Sequence, residues 1–224
     1  MSNSNKWKKY IGLAGILFLF PLVWLLFFGV GGKHNFKTCP YFEPGSLSPL
    51  EYSDYNLPPF VFKDQNGNAF SLDSLQGKVW VAAFYSLNDP FVSNITQRLL
   101  DINFRYRNEP DIVIVSFSTD CAHDTPDITK PYIEQNVRYN QFPGKWIYLT
   151  GDQEAMQSYL RNGFGIVDLK NEPIFRLIGP DAKIRGLYGN TEYHLKDAKE
   201  DIALLKKEMD LKKYNEKKAS EGVQ

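Results

Sequence analysis

The sequence predicts an α/β domain built from buried strands that alternate with amphipathic helices. Two near-continuous apolar runs, at residues 79–85 (VWVAAFY) and 112–117 (IVIVSF), are typical of strands that are buried on both faces of a sheet. Between them, apolar side chains recur every three or four positions from Phe91 to Tyr106, which indicates a helix that packs by one face. Strands and helices in alternation predict a largely parallel sheet covered by helices.

The other elements are predicted from turn residues and apolar periodicity. An N-terminal hairpin turns at residues 65–67 (QNG), where glycine supplies the positive φ of the turn. A helix over residues 125–139 places Pro126 in its first turn, where proline is favoured. A short strand, a helix, a strand pair and a closing helix follow, at residues 146–149, 152–161, 174–178 with 183–188, and 191–213. This order, β-α-β-α-β-α-β-β-α behind a hairpin, is that of a thioredoxin-like sandwich.

Charge and cysteine usage exclude several classes of protein. The 224 residues carry 26 basic and 26 acidic side chains, so no basic surplus is present to bind nucleic acid phosphates. The two cysteines, Cys39 and Cys121, lack CxxC or CxxH spacing, which excludes a zinc ribbon, a dithiol redox pair and a disulfide-rich scaffold. We therefore expect one domain with an additional segment, and no nucleic acid partner.

The additional segment is apolar and lies near the amino end. Residues 11–30 form twenty consecutive positions without a charge, which is long enough to span a lipid bilayer. The lysines at positions 6, 8 and 9 precede it, and basic residues also follow it, so the bias toward a cytoplasmic amino end is slight. A cleaved signal peptide and a buried soluble helix are the alternatives, but no AxA-like cleavage site follows. We expect an uncleaved signal anchor and a single-pass membrane protein whose domain lies on the extracytoplasmic, periplasmic side.

These features divide the chain into five predicted parts. They are a short cytoplasmic amino terminus, the transmembrane anchor, a tether, the thioredoxin-like domain and a charged tail, at residues 1–10, 11–30, 31–57, 58–206 and 207–224. The tether is rich in Gly, Pro, Ser and aromatic residues, and we expect it to end by packing on the domain. The tail mixes charges with small polar residues, which favours a solvated segment.

Four strings in the predicted domain resemble one protein family. They are DQNGNAFSLDSLQGKVWVAAFY, SFSTDCAHDTPDITKPYIEQ, WIYLTGD and PIFRLIGPDAKIRGLYG. In this order and spacing they are similar to the SCO/SenC family of membrane-tethered thioredoxin-like proteins, over roughly residues 58–206. The resemblance implies a protein that handles copper or thiols outside the cytoplasm, commonly during assembly of the copper site of cytochrome oxidase. It also implies partners among respiratory-complex subunits, or an intact paralogue of the same family.

The positions that carry the family's chemistry are substituted in this chain. The family has two cysteines in a CxxxC spacing at the start of the first long helix and a histidine before the closing hairpin, and these positions match Asn88, Val92 and Asn171. Asparagine is a weak neutral donor and valine has none, so we expect neither a copper–thiolate centre nor thiol exchange there. Asp89 and Pro90 predict an ordinary N-cap and first helical turn instead. We therefore predict no catalytic residue, no metal ligand, no bound cofactor and a non-enzymatic role.

The loop after the second buried strand holds two further candidates, Cys121 and His123. Loops that follow parallel strands gather at one edge of the sheet, so this pair could form a low-affinity metal or redox point near the substituted motif. Two ligands do not make a transition-metal site, however, and a lone buried cysteine usually behaves as a small hydrophobe. Three carboxylates, Asp120, Asp124 and Asp127, lie in the same loop, where caps and loop hydrogen bonds are favoured over a calcium site because the EF-hand spacing is absent.

Two isolated residues carry further hypotheses. Pro173 stands where thioredoxin-like proteins often have a cis-proline, so a cis peptide bond between Glu172 and Pro173 is a hypothesis. Cys39 could form an intermolecular disulfide in an oxidising compartment.

Three functions remain open at this stage. The first is a membrane-anchored, non-catalytic assembly or binding factor in respiratory, cytochrome oxidase, maturation. The second is a metal or thiol-redox protein that uses Cys121 and His123. The third is a general membrane-tethered adaptor with a thioredoxin fold.

Overall fold

The computed structural model describes residue 19 and residues 38–137, 144–168, 174–189 and 191–221. Apart from residue 19, these belong to a unit that spans Thr38–Gln224. Within these ranges, no helix is both long and apolar enough to cross a membrane. The predicted anchor at residues 11–30 lies outside the described residues, except for the exposed Leu19.

The strands and helices follow the predicted order. The strands are β1 (Val61–Lys63), β2 (Ala69–Ser71), β3 (Val79–Tyr85), β4 (Ile112–Ser118), β5 (Trp146–Leu149), β6 (Phe175–Ile178) and β7 (Ile184–Tyr188). The helices are α1 (Val92–Arg105), α2 (Pro126–Val137), α3 (Gln153–Phe164) and α4 (Glu192–Glu221), and a 3-10 turn spans Leu72–Leu75.

The main sheet has the strand order β5-β4-β3-β6-β7. β3 pairs in parallel with β4, and β4 pairs in parallel with β5. β6 is antiparallel to β3, and β7 is antiparallel to β6. β1 and β2 form a separate antiparallel hairpin. The predicted thioredoxin-like α/β sandwich with its N-terminal hairpin is therefore confirmed.

Side-chain alternation in the central strand supplies two hydrophobic cores, one on each face of the sheet. From β3, Val81 and Tyr85 belong to the first core, which also contains apolar residues of α1, α2 and α4. Trp80 and Phe84 belong to the second core, together with residues of α3 and the hairpin. Every residue of β3 and β4 is buried, as their apolar runs predict. Because the carboxyl ends of β3 and β4 lie at one edge, the loops that follow them are brought together there.

The described end of the predicted tether packs on the domain from Cys39 onward. Cys39 is 2% exposed in the first core, and its Sγ donates to the carbonyl of Asp201 at 3.5 Å. The Arg185 guanidinium donates to the Cys39 carbonyl at 2.7 Å, and Phe42 bridges to Ile184 of β7. The Cys39 thiol could therefore reach a second chain only if this segment first detached from α4.

Several helix boundaries differ from prediction, among them the end of α3, which lies at Phe164 rather than residue 161. α1 begins at Val92 with Phe91 as its N-cap, because the Asp89 carboxylate accepts from the Phe91 amide at 2.7 Å and closes a turn before the helix. α4 continues to Glu221 rather than ending at residue 213. Its last turns are rich in Lys and Glu, which are good helix formers, and side chains from residue 210 to 220 are exposed.

A buried lysine makes the stability of the fold depend on pH. Lys145 is 3% exposed, and its Nζ donates to the carbonyls of Glu109 and Ile112. Burial lowers the pKa of Lys145 to about 8, although Glu109 and Asp111 act in the opposite direction. The pKa of this lysine in the unfolded chain is 10.5, so the folded state loses the proton at lower pH than the unfolded state does. The free energy of unfolding therefore rises as the pH increases from about 8 to 10.5.

We expect the unfolding free energy of the wild type, measured against Lys145→Met, to rise with pH. The gain between pH 7.5 and 9.5 should be about 1–2 kcal/mol, because a shift of one pKa unit corresponds to about 1.4 kcal/mol. Urea unfolding of both chains at the two pH values measures it. Lys130→Met, at an exposed position, is the control, and its difference from the wild type in unfolding free energy should be the same at both pH values. The prediction is contradicted if the difference for Lys145→Met is also the same at both.

Candidate functional site

The two described positions that are predicted to match the family's cysteines lie where β3 leads into α1. Asn88 is exposed in the loop, and its backbone amide donates to Ser86 Oγ at 3.1 Å. Val92 is the half-buried first residue of α1. Asn171 and Pro173 lie outside the described residues, so the histidine position and the cis-bond hypothesis stay predictions. Among the described residues, no group of three or more His, Cys, Asp or Glu is placed to hold a metal ion.

A fully buried carboxylate, Asp124, organises this edge of the sheet. Its Oδ1 lies 2.8 Å from His123 Nδ1, and its Oδ2 accepts from Tyr148 OH at 2.7 Å. Three further donors complete its shell: Ser118 Oγ at 2.7 Å, Ser86 Oγ at 3.1 Å and the Leu87 amide at 3.1 Å. These hydrogen bonds offset the cost of removing a carboxylate from water.

Asp124 and its five donors, here named the Asp124 hub, connect three separate parts of the chain. Ser86 and Leu87 follow β3, Ser118 ends β4, and Tyr148 belongs to β5. Ser86 Oγ donates to Asp124 and accepts from the Asn88 amide, so the hub also fixes the backbone at the first matched position. The loop that carries the substituted motif is therefore held by buried hydrogen bonds, without a metal or a disulfide among its described contacts.

The structure places Cys121 and His123 in one loop, but Cys121 lies in the second core whereas His123 is part of neither core. Cys121 is 6% exposed in the core on the α3 side, and its amide donates to Gln153 Oε1 at 2.6 Å. The His123 side chain is 37% exposed and binds Asp124, whose partner Tyr148 belongs to the opposite core. Because a carboxylate only accepts, Nδ1 of a neutral His123 carries the proton and Nε2 is the acceptor.

A chain of hydrogen-bonded hydroxyl groups runs through the first core. Tyr85 OH lies 3.1 Å from Ser116 Oγ and 3.1 Å from Tyr132 OH. Tyr132 OH in turn lies 2.9 Å from Thr96 Oγ1, and Trp146 Nε1 donates to Ser116 Oγ at 2.9 Å. Burial raises the pKa of Tyr85 well above its usual value, and it also raises that of Tyr132. Both phenols therefore remain protonated donors at neutral pH.

A groove of about 410 Å³, here named the α1–α2 groove, opens beside the matched positions. Val92 and Leu87 line one end of it, and Tyr132 lines the α2 side. A second cavity of about 460 Å³ lies elsewhere, where Arg185 and the acidic and basic side chains of α4 meet the β6–β7 turn. The second cavity has no residue of the motif, so the α1–α2 groove is the one that belongs to the site.

Comparison with known proteins identifies the family. The family profile described as SCO1/SenC matches residues 51–207. A Bacillus subtilis protein named SCO1 protein homolog is 30% identical over 150 residues, which cover 62% of this chain and 76% of that protein.

Solved structures agree with this assignment. The crystal structure of a SCO1/SenC family lipoprotein from Bacillus anthracis str. Ames is 26% identical, with a TM-score of 0.58 over 68% of this chain and 95% of that one. BsSco, described as a member of the Sco family of cytochrome c oxidase assembly proteins, is 27% identical, with a TM-score of 0.52 over 66% of this chain and 92% of that one. The resemblance stated from the four sequence strings is confirmed, and the chain belongs to the SCO1/SenC family.

Proposed function

We propose that this protein is a membrane-anchored, non-catalytic assembly or binding factor in cytochrome oxidase maturation. The observation that carries the proposal is a SCO1/SenC domain, matched over residues 51–207, in which the predicted ligand positions hold Asn88, Val92 and Asn171 instead of two cysteines and a histidine. The link to oxidase assembly is supported by the relative BsSco, which belongs to a family of cytochrome c oxidase assembly proteins. Membrane anchoring is supported by the uncharged run at residues 11–30.

The described geometry supports binding rather than chemistry at this edge. A thiolate is needed both to hold Cu(I) and to attack a disulfide, and neither Asn88 nor Val92 supplies one. The Asp124 hub nevertheless holds the same loop in a defined conformation. A loop that is held in one conformation but has no reactive group is suited to binding a partner, such as an oxidase subunit or an intact paralogue in the periplasm.

Deleting the gene in its native host tests the proposal. We expect the deletion to lower cytochrome oxidase activity and the amount of assembled oxidase, and the full chain supplied in trans to restore both. The intact SCO1/SenC paralogue, where the host has one, should not restore them when supplied at its normal level. Unchanged oxidase activity and assembly in the deletion strain would overturn the proposal.

Restoring the two missing thiols should let the chain retain Cu(I), the copper ion that soft thiolate ligands select. The double variant N88C/V92C places one thiol in the loop before α1 and one at the first residue of α1, where the helix N-terminus favours the thiolate that binds Cu(I). We expect the full-length variant to bind Cu(I) in competition with a chromogenic chelator, and the wild type and N88S/V92S to leave the chelator complex unchanged. Equal retention of Cu(I) by all three chains would show that the copper is held elsewhere, with Cys121 and His123 the first residues to replace.

A further inference from the structure

The α1–α2 groove has an apolar floor beside the substituted motif. Leu87, Val92 and Leu100 are only partly buried there, although each packs against the first core. The ring of Tyr132 forms the facing wall, and its hydroxyl group is already engaged by Thr96 and Tyr85. Leu87, Val92 and Leu100 supply the apolar part of a lining that also carries polar groups, and displacement of water from that part by apolar side chains is favourable.

The rim of the groove carries amide groups. Gln97 on α1 and Gln135 on α2 are both exposed. Across the part of the chain that the structure describes, the side-chain amides of these two residues have no hydrogen bond. Each offers a carbonyl acceptor and two N–H donors, which is the complement of a peptide group.

The groove is electrically neutral. Its described lining contains no Asp, Glu, Lys, Arg or His, although 23% of the chain is charged. The phenol of Tyr132 also remains neutral, because burial raises the pKa of that side chain. A phosphate would find no cation and a metal ion would find no anionic ligand, whereas an uncharged ligand loses nothing on entry.

We propose that the α1–α2 groove binds an extended, uncharged peptide segment of a partner protein. Two or three apolar side chains of the segment lie on the floor, and its backbone bonds to the amides of Gln97 and Gln135. The volume of about 410 Å³ lies within the range of pockets that take small ligands. This inference rests on the proposed function, and it names the surface and the class of segment through which a partner is bound.

The test uses a defined probe, a capped heptapeptide of alternating serine and leucine, and two analogues in which aspartate or lysine replaces serine. Binding to the full chain in detergent is followed by fluorescence anisotropy. The uncharged peptide should bind tighter than both analogues. The double variant Q97E/Q135E should bind it about tenfold more weakly, since each change removes the N–H donors that the side-chain amide offers to the peptide backbone. The same variant should bind the lysine analogue better than the wild type does.

This reversal of preference separates a groove effect from misfolding, because an unfolded variant would lose all three peptides together. Gln157→Glu makes the same change on the exposed face of α3 and should leave all three affinities unchanged. Equal binding of the three peptides by the wild type, or unchanged affinities in Q97E/Q135E, would overturn the inference. These outcomes are distinct from failure of the proposed function, which is measured by oxidase assembly in the deletion strain.

Discussion

Replacing Asp124 with asparagine should lower the free energy of unfolding by about 3–5 kcal/mol, because the change removes a buried anion from a shell built for it. The five donors that surround the carboxylate belong to four side chains and one backbone amide. Asparagine keeps one oxygen acceptor and turns an N–H₂ group toward some of the same donors. Several buried donors would then lack a partner, and each costs about 1–3 kcal/mol.

Chemical denaturation of the full chain, followed by far-ultraviolet circular dichroism, measures this loss. Asp127→Asn is the matched control, since Asp127 is exposed in the first turn of α2 and bears only on the helix dipole. We expect the control to cost less than about 1 kcal/mol. If the two variants lost equal stability, the hub would not be the feature that holds this edge of the sheet together.

Replacing Phe117 with alanine should lower the free energy of unfolding by about 3–5 kcal/mol. Phe117 is fully buried at the centre of the second core. Its ring centroid lies 5.6–6.5 Å from those of six other aromatic residues: Phe60, Phe62, Trp80, Phe84, Tyr159 and Phe164. The rings come from β3, α3 and the hairpin region, so no single neighbour can move to fill the cavity.

The effect of this truncation can be separated from the general effect of removing an aromatic ring. Phe104 on α1 is 62% exposed, so Phe104→Ala should change stability by less than about 0.5 kcal/mol. Thermal and urea unfolding of both variants test the contrast. A loss below about 1 kcal/mol for Phe117→Ala would mean that the second core is loosely packed.

The fold could be predicted because its elements are encoded locally. The runs at 79–85 and 112–117 have the length and apolar continuity of buried strands, and the structure forms β3 and β4 there. The periodicity from Phe91 to Tyr106 predicts α1, which buries Ile95, Leu99 and Ile102. Helix ends were less predictable: the apolar face of α4 ends near Met209, but its helix propensity continues to Glu221.

The site was predicted only in part. The replacement of the family's cysteines by Asn88 and Val92 stays a prediction from the sequence, and the structure places both residues where β3 leads into α1. The Asp124 hub could not be predicted, because its partners Ser86, Ser118 and Tyr148 come from three strand ends and meet only after the sheet has formed. Hydroxyl residues inside the buried strand β4 are the one signal that could have indicated an internal polar network.

The surroundings of the two cysteines also differ from what the sequence predicts. Cys39 had no expected contact with the domain core, yet it packs against α4 and its carbonyl accepts from Arg185. Cys121 was paired with His123 as a candidate, and the structure buries Cys121 in the second core while the His123 side chain is 37% exposed. Both thiols are buried, as is typical of free cysteines that pack as small hydrophobic residues.

The most direct test of the proposed function is a rescue experiment with a chain that has no thiol. The deletion strain receives either the wild type or C39A/C121A, with the amount of each chain determined by immunoblot. If the protein assists oxidase assembly by binding alone, both chains should restore cytochrome oxidase activity to the same level per amount of protein. Loss of rescue by C39A/C121A at a normal protein level would contradict this account and show that oxidase assembly requires a cysteine thiol of this protein.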